Sequence, residues 1–217
     1  DLGALRPRAR ALLRLLALSP NRDVHREQLV DALWPGVDLA VGTRRLQVAV
    51  SSVRQVLEQA GLPGMAVLAR RGDAYRLALP AGSTVDVEAF ERGLADADAA
   101  VRRADPSAVE LRAAALARYR GDLLPEDGPA EYVVGERDRL RVLAAAAAAT
   151  LAQEYRALGQ LRPALAAARQ SVQVDRYQDL AWQLLAELHR DAGDDSAAAR
   201  ARREHAAAQA ELELEST

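Results

Sequence analysis

The stretch VGTRRLQVAVSSVRQVLEQA, residues 41–60, decides the fold of this chain because its apolar residues repeat with the period of an α-helix. Leu46, Val50, Val53 and Leu57 are spaced so that they fall on one face of a helix. The opposite face is polar and basic, and it contains no acidic residue until its last turn. The pattern therefore predicts an amphipathic helix with one buried face and one basic face.

An acid-free helix face has two interpretations. It is either an ordinary solvated surface or a surface that binds a polyanion such as nucleic acid. Arg44 and Arg54 are the first candidates, because arginine can bind guanine in a bidentate manner or hold a phosphate. Gln47 suits an adenine edge, and Arg45 is a second-rank candidate that could instead lie along the surface. The candidate DNA-binding residues of this helix are Thr43, Arg44, Gln47, Val48, Ser51, Ser52 and Arg54.

Length and composition limit the classes of protein to which the chain can belong. Its 217 residues are half hydrophobic, which predicts a globular protein of one large or two small domains. It has no cysteine, which excludes disulfides and fits a reducing compartment. No apolar run reaches the length of a membrane span, and no signal-peptide pattern opens the chain, so we expect a cytoplasmic protein that does not contact membranes. Because the first residue is Asp, the chain is expected to be a fragment or a processed form.

Charge is distributed unevenly along the chain. All 29 basic residues are arginine, a bias that a GC-rich genome would also produce. Residues 1–82 contain 12 Arg against 7 acidic residues, a net charge of +5, whereas the remainder contains 17 against 24, a net charge of −7. This asymmetry indicates that the first part of the chain meets an anionic partner.

Two shorter helices are predicted before the long one. The first covers residues 8–18, where leucines recur at helical spacing, and it ends at Ser19-Pro20-Asn21. The second covers residues 24–33, with Asp23 as its expected N-cap. Trp34 follows, and we expect it to be a buried wedge between the second and third helices rather than a functional aromatic residue.

A β-hairpin is predicted at residues 65–79, after the long helix. Two short strand-like runs flank the turn residues Gly72 and Asp73, and Arg70 and Arg71 lie at the tip, where they would contact phosphate or the minor groove. The order of three helices followed by a hairpin is that of a winged helix-turn-helix. In that fold the third helix enters the major groove of DNA, and the hairpin is the wing.

The second half of the chain is predicted to be almost entirely helical and to contain an internal repeat. Tyr155-x3-Gly159 recurs as His189-x3-Gly193, a period of 34 residues. This is the period of tetratricopeptide (TPR) helix-turn-helix repeats, although coincidence in an alanine-rich chain is the alternative. The predicted fold class is therefore mainly α: a winged helix-turn-helix with a β-hairpin wing, followed by an all-α TPR-like domain.

These features together resemble the SARP family of bacterial antibiotic-pathway regulators. That family joins an OmpR/PhoB-type winged helix to a helical bacterial transcriptional activator domain (BTAD). Leu33-Trp34-Pro35 and Asp86-x3-Phe90 are the most specific elements of the resemblance, which covers nearly the whole chain. Further matching elements are Ala11-Leu12-Leu13, Gln28–Leu33, Leu46–Arg54, Gly72-x2-Tyr75-x-Leu77, Tyr119-x-Gly121-x-Leu123-Leu124 and Glu136-Arg137-x2-Leu140.

The resemblance carries further implications. It implies a winged helix at residues 1–82, a BTAD at residues 85–217, and contact between RNA polymerase and the loop at residues 35–42. It also implies binding of double-stranded promoter DNA and homodimers on direct repeats. The chain departs from the family in starting where the small N-terminal sheet should end, and in having Ala74 where the wing has glycine, from which we expect an altered wing tip.

No enzyme is predicted. His25, His189 and His205 lack ligand-like spacing with acids, and no phosphate-binding loop or nucleophile elbow occurs, so we expect no catalytic residues, metal or cofactor. The sequence therefore predicts a sequence-specific DNA-binding transcription regulator, with an activator as the expected type. The alternative is a TPR-type interaction scaffold of a larger signalling protein, in which the winged helix is only structural.

Overall fold

The computed structural model describes residues 2–215, whose contacts divide the chain into two units. The first unit comprises the chain up to Ser83 together with Glu126–Val134, and the second comprises Thr84–Pro125 and the chain from Gly135 onward. The described residues are mostly helical, and their three strands form one small antiparallel sheet in the first unit. The structure thus has the predicted fold class, a winged helix followed by a helical domain.

The elements of the first unit occur in the order expected of a winged helix. The middle strand of the sheet is β3, with β1 on one side and β2 on the other. In chain order the elements are α1 (Pro7–Ala17), β1 (Val24–His25), α2 (Arg26–Leu33), α3 (Leu39–Gln59), α4 (Gly64–Val67), β2 (Leu68–Arg71) and β3 (Ala74–Leu77).

The core of the first unit is built from the apolar faces of its helices. Helix α3 buries Leu46, Val50 and Val53, and Leu57 packs half-buried at the edge of the same cluster. The predicted apolar stripe is therefore confirmed. The other side chains of this core that are fully buried are Leu12, Leu16, Leu29, Leu33 and Leu68.

The ends of α3 are fixed by local hydrogen bonds. At its start, the Asp38 carboxylate accepts bonds from the backbone N–H groups of Ala40 and Val41, at 2.9 and 3.2 Å. At its end, Gly61 adopts a φ of +78°, and the N–H of the next residue donates to the Leu57 carbonyl at 2.9 Å. These caps place α3 at Leu39–Gln59, slightly earlier than the predicted helix at 41–60.

The start of α2 differs from the prediction. The helix begins at Arg26, and its N-cap is His25, whose ring nitrogen accepts a bond from the Glu27 N–H while the Gln28 side chain accepts one from the His25 N–H. Asp23, the predicted cap, is instead bound by the Arg76 guanidinium at 2.8 and 2.9 Å. The prediction was wrong because residues 24 and 25 pair with β3 as strand β1 before the helix starts.

The first strand of the predicted hairpin also starts later than expected. Gly64–Val67 is the short helix α4, in which the Pro63 carbonyl accepts bonds from the N–H groups of Ala66 and Val67, each at 2.9 Å. A short apolar run fits a helical turn as well as a strand, so periodicity could not separate the two. The wing is therefore the hairpin β2–β3 at residues 68–77, rather than residues 65–79.

The second unit consists of helices. Its core is rich in alanine and leucine, as the long alanine runs predict. The two glycines of the predicted 34-residue repeat, Gly159 and Gly193, both adopt positive φ values at the ends of helices. No helix among residues 2–215 is long and apolar enough to cross a membrane. The helices are α5 (Asp86–Arg102), α6 (Ala108–Leu116), α7 (Glu131–Ala157), α8 (Leu161–Val174), α9 (Asp179–Asp191) and α10 (Asp195–Glu215).

Candidate nucleic-acid interface

The outward face of α3 presents four of the predicted DNA-binding side chains together. Arg44, Gln47, Val48 and Ser51 are exposed, and Val48 has 68% of its surface accessible although it is apolar. At 100° per residue, these positions lie within about 100° of arc on the helix, opposite the buried stripe. An exposed valine between polar side chains is suited to contact a thymine methyl group.

Thr43 and Ser52 flank this face and are half-buried. The Thr43 hydroxyl donates to the Leu39 carbonyl at 2.7 Å, which fixes its rotamer and leaves its oxygen as an acceptor. Both residues lie about 90° around the helix from the centre of this face, so they are at its margin. They remain predicted contacts at its edge.

Among the residues that the structure describes, no acidic side chain pairs with the arginines at the start of this face. Among residues 2–215, neither Arg44 nor Arg45 has a hydrogen-bond or ion-pair partner, and both side chains are exposed. Many other arginines do have carboxylate partners, including Arg26 with Asp73 at 2.9 Å. A guanidinium group without an internal partner keeps its donors for an external anion.

Arg54 occupies a different place from the other candidates on α3. Its side chain is half-buried, and Nε and Nη2 both donate to the backbone carbonyl of Leu68, at 3.0 and 2.7 Å. The guanidinium is thus directed towards the start of the wing rather than along the outward face. Whether Arg54 also contacts DNA stays a prediction.

The wing carries Arg70 and Arg71 next to its turn, and both are exposed. Gly72 provides the positive φ that the turn requires, +58°, and its carbonyl accepts a bond from Arg70 Nε at 2.9 Å. Ala74 pairs with Arg71 as the first residue of β3 and is not among the residues with positive φ, so the turn forms without glycine at that position.

Ion pairs hold the wing against the start of α2. Asp73 at the turn is bound by Arg26, whose backbone N–H also donates to the Asp73 carbonyl at 2.8 Å. Arg76 of β3 also pairs with Asp23, which directly precedes β1. The hydrogen bond from Arg76 lowers the pKa of Asp23, and the charge of Arg71 lowers this pKa further. Arg70 and Arg71 are therefore presented on an anchored hairpin.

Sequence analysis missed Gln55 as a candidate. It is exposed and lies four residues after Ser51, so it extends the line of outward side chains by one helical turn. The i, i+4 spacing from Ser51 was the signal that could have identified it. Its side-chain amide offers both a donor and an acceptor to a base edge.

A shallow, open groove of about 440 Å³ lies beside α3, between α2 and the loop that joins the two helices. Glu27 and Asp31 give its rim negative charge, and Val37 and Leu39 provide apolar surface. Trp34, expected to be a buried wedge, is half-buried against the core of the first unit. Across residues 2–215, no group of three or more His, Asp or Glu side chains is arranged to hold a metal ion.

Comparison with known proteins identifies the class of this winged helix. The family described as "Transcriptional regulatory protein, C terminal" matches residues 3–77, which span α1 to the end of β3. Residues 3–77 therefore match a winged-helix domain of the OmpR/PhoB type.

Curated relatives that match about half of this chain are named as transcriptional regulators. EmbR of Mycobacterium tuberculosis is 32% identical over 122 residues, which cover 55% of this chain and 31% of EmbR. MoaR1 of the same organism is 29% identical over 122 residues, which cover 54% of this chain and 38% of MoaR1. The solved structure of M. tuberculosis EmbR in complex with a low-affinity phosphopeptide matches with a TM-score of 0.78 and 25% identity, covering 93% of this chain and 53% of that chain. The chain is thus homologous to SARP-type regulators, and it spans about half or less of their length.

Proposed function

We propose that this chain binds promoter DNA in a sequence-specific manner and activates transcription, with α3 in the major groove and the β2–β3 hairpin as the wing. The observation that carries the proposal is Arg44, exposed and without a partner in the described part of the chain, beside Gln47, Val48 and Ser51 on the third helix of an OmpR/PhoB-type domain. A helix fits the major groove, and these side-chain types can read base edges there.

The proposed roles of the contact residues follow from their chemistry. Arg44 takes a guanine or a phosphate, Gln47 takes an adenine edge, and Val48 packs on a thymine methyl group. Arg70 and Arg71 take phosphate or the minor groove next to the recognition site. The proposed contacts are Thr43, Arg44, Gln47, Val48, Ser51, Ser52, Arg70 and Arg71, with Gln55 added from the structure. Arg54, which the sequence also predicted as a contact, is bonded to the Leu68 carbonyl instead.

Activation is proposed to depend on RNA polymerase contact at the groove beside α2. Glu27, Asp31 and Leu39 combine acidic and apolar surface, which suits a basic, amphipathic polymerase segment. Asp31→Arg is expected to abolish activation in a purified transcription assay while duplex affinity stays the same. Loss of duplex affinity together with activation would instead place Asp31 in the DNA interface.

The proposal includes the remaining features of a regulator of this type. Residues 1–82 are the DNA-binding domain, residues 85–217 are the BTAD, and two copies bind direct repeats. The protein acts in the cytoplasm, where the promoter is, and no catalytic activity is assigned to it. If the chain is instead a TPR-type interaction scaffold, which is the competing function, the purified protein should bind no duplex specifically.

The experiment that tests the proposal is selection of bound fragments from genomic DNA, followed by affinity measurement on the selected duplex at several salt concentrations. Arg44→Ala should cost about 1–3 kcal/mol of binding free energy and relax the selected sequence. Arg92→Ala on α5, where the Arg92 side chain is 71% exposed, removes the same charge from the second unit and is the matched control. Failure to select any duplex, or equal affinities for wild type and Arg44→Ala, would contradict the assignment.

A further inference from the structure

The recognition helix and the wing must keep a fixed separation if both are to contact one duplex. The groove and the neighbouring backbone lie at set distances, so a wing that moves relative to α3 loses its contacts. Only the short segment at residues 60–67 joins the end of α3 to the first strand of the wing. The structure shows what holds the two elements together, and this inference rests on the proposed DNA-binding function.

The Leu68 carbonyl is a point at which the wing is bonded to α3. Leu68 is fully buried and begins β2, which is an edge strand of the sheet. The carbonyl of Val67 accepts a bond from the Ala78 N–H at 2.7 Å, and successive carbonyls of an extended chain point in opposite directions. The Leu68 carbonyl therefore points away from β3, to the side where the sheet supplies no donor.

Arg54 supplies that donor twice. Its Nε and Nη2 atoms lie 3.0 and 2.7 Å from the Leu68 oxygen, so both donors on one edge of the guanidinium bind the same carbonyl. A charged donor makes a stronger hydrogen bond than a neutral one, and a paired contact also fixes direction. Arg54 thus bonds the C-terminal third of α3 to the first residue of the wing.

A second close contact lies at the same residue of α3. A Cβ atom on Gly64 would come 2.7 Å from the Arg54 carbonyl oxygen and 3.1 Å from the Arg54 Cα atom. Only glycine allows α4 to lie this close to α3 without displacement. Helix α4 and strand β2 are therefore both seated on α3 at Arg54, one by packing and the other by hydrogen bonding.

We propose that Arg54 is a positioning residue that sets the wing against the recognition helix, rather than a phosphate or base contact. Arg54 lies about 80° around the helix from Arg44, away from the centre of the outward face. The contrast with Arg44, which has no partner among residues 2–215, is the basis for assigning the two arginines different roles.

The experiment compares Arg54→Met with Arg44→Met, because each change removes one guanidinium and keeps an unbranched apolar stem. Each protein is measured for affinity to the selected duplex across a salt series and, without DNA, for amide hydrogen exchange at Ala78 and β3. Arg54→Met is expected to weaken binding about tenfold, as for one lost charge-assisted bond, while the slope of log K against log salt stays that of wild type. Exchange at Ala78 should be faster.

Arg44→Met is expected to behave in the opposite way, with unchanged exchange in the hairpin and a slope smaller by about 0.9 if Arg44 holds a phosphate. A smaller slope for Arg54→Met would show that Arg54 contacts phosphate and would overturn the proposal. Unchanged exchange at Ala78, or unchanged affinity despite faster exchange, would overturn it as well. If wild type binds no duplex, the proposed function fails, whereas the exchange data still report whether Arg54 holds the wing.

Discussion

Gly42 of α3 lies so close to Val30 of α2 that a Cβ atom on Gly42 would be 2.2 Å from Val30 Cγ1. Both residues are buried, and valine has few rotamers with which to move aside. The first turn of α3 therefore packs directly on α2, the helix that precedes it.

Gly42→Ala is expected to destabilise the first unit by about 1–3 kcal/mol, the usual cost of overpacking, although alanine favours helix by about 1 kcal/mol over glycine. Urea unfolding followed by circular dichroism measures the change. The double variant Gly42→Ala/Val30→Ala should regain part of the loss, because it removes the clashing methyl groups. A single variant as stable as wild type would show that α3 can shift at no cost.

Arg112 is expected to be the most sensitive charged residue of the second unit. It is 5% exposed, and it donates to Glu154 from Nε and Nη2 and to Asp98 from Nη1 at 2.9 Å. Arg112→Met leaves the Glu154 carboxylate with little solvent and no partner, a change that typically costs about 3–5 kcal/mol. Chemical denaturation checks this value.

The companion variant for Arg112 removes both charges. Arg112→Met/Glu154→Leu should recover most of the stability, because well-packed apolar residues often replace a buried ion pair without loss. If the double variant is no more stable than Arg112→Met, the cost comes from packing and not from the unpaired carboxylate.

Arg14 is expected to keep the segment Glu126–Val134 on the first unit. It binds Glu126 at 2.7 Å and also pairs with Asp127, and the side chains of Arg14 and Asp127 are only 14% and 11% exposed. Arg14→Met should make this segment more accessible, so limited proteolysis near Asp127 should be faster by about tenfold or more. Arg8→Met, on the exposed side of the same helix, should leave cleavage unchanged.

His189 is expected to make the second unit sensitive to mild acid. Burial lowers the pKa of His189 below its ordinary 6.5; Arg169 and Arg200 lower it further, and Asp194 acts against them. In the unfolded chain, the His189 imidazole is protonated near pH 6.5, whereas in the folded chain it is protonated only at lower pH. The free energy of unfolding therefore falls as the pH drops below 6.5. The loss ends below the folded-state pKa.

Thermal unfolding of the wild type between pH 7.5 and 5 measures this effect. His189→Gln should flatten the curve in that range, and Arg169→Gln should flatten it partly by removing the largest charge effect on the imidazole. Parallel curves for wild type and His189→Gln would show that other groups cause any loss.

The sequence predicted the elements whose signal is periodic. Leu46, Val50 and Val53 identified α3 and its buried face, because a helix that packs on a core must repeat its apolar residues every three or four positions. The repeat around Gly159 and Gly193 placed two helix pairs in the second unit, because a chain that reverses there uses a positive φ.

The sequence did not predict features that depend on residues brought together by the fold. His25 caps α2 only because β1 positions it, and the partner of Arg54 lies 14 residues further along the chain. A pattern on one helix shows which side chains share a face, but it does not show which of them another element will bind. From the sequence, Arg44 and Arg54 therefore had the same predicted role, whereas of the two only Arg54 is bonded to another element in the part of the chain that the structure describes.

Val133 is 0% exposed and, with Asp127, belongs to the first unit although the chain has by then passed through α5 and α6. The family match at residues 3–77 is therefore shorter than the first unit, which also includes residues 126–134. A protein truncated at Ser83 keeps every candidate DNA contact but removes the Glu126 and Asp127 carboxylates that Arg14 binds, so we expect it to be less stable than the same unit in the full chain. Evolutionary transfer of this winged helix to another partner would need either residues 126–134 or a substitute for them.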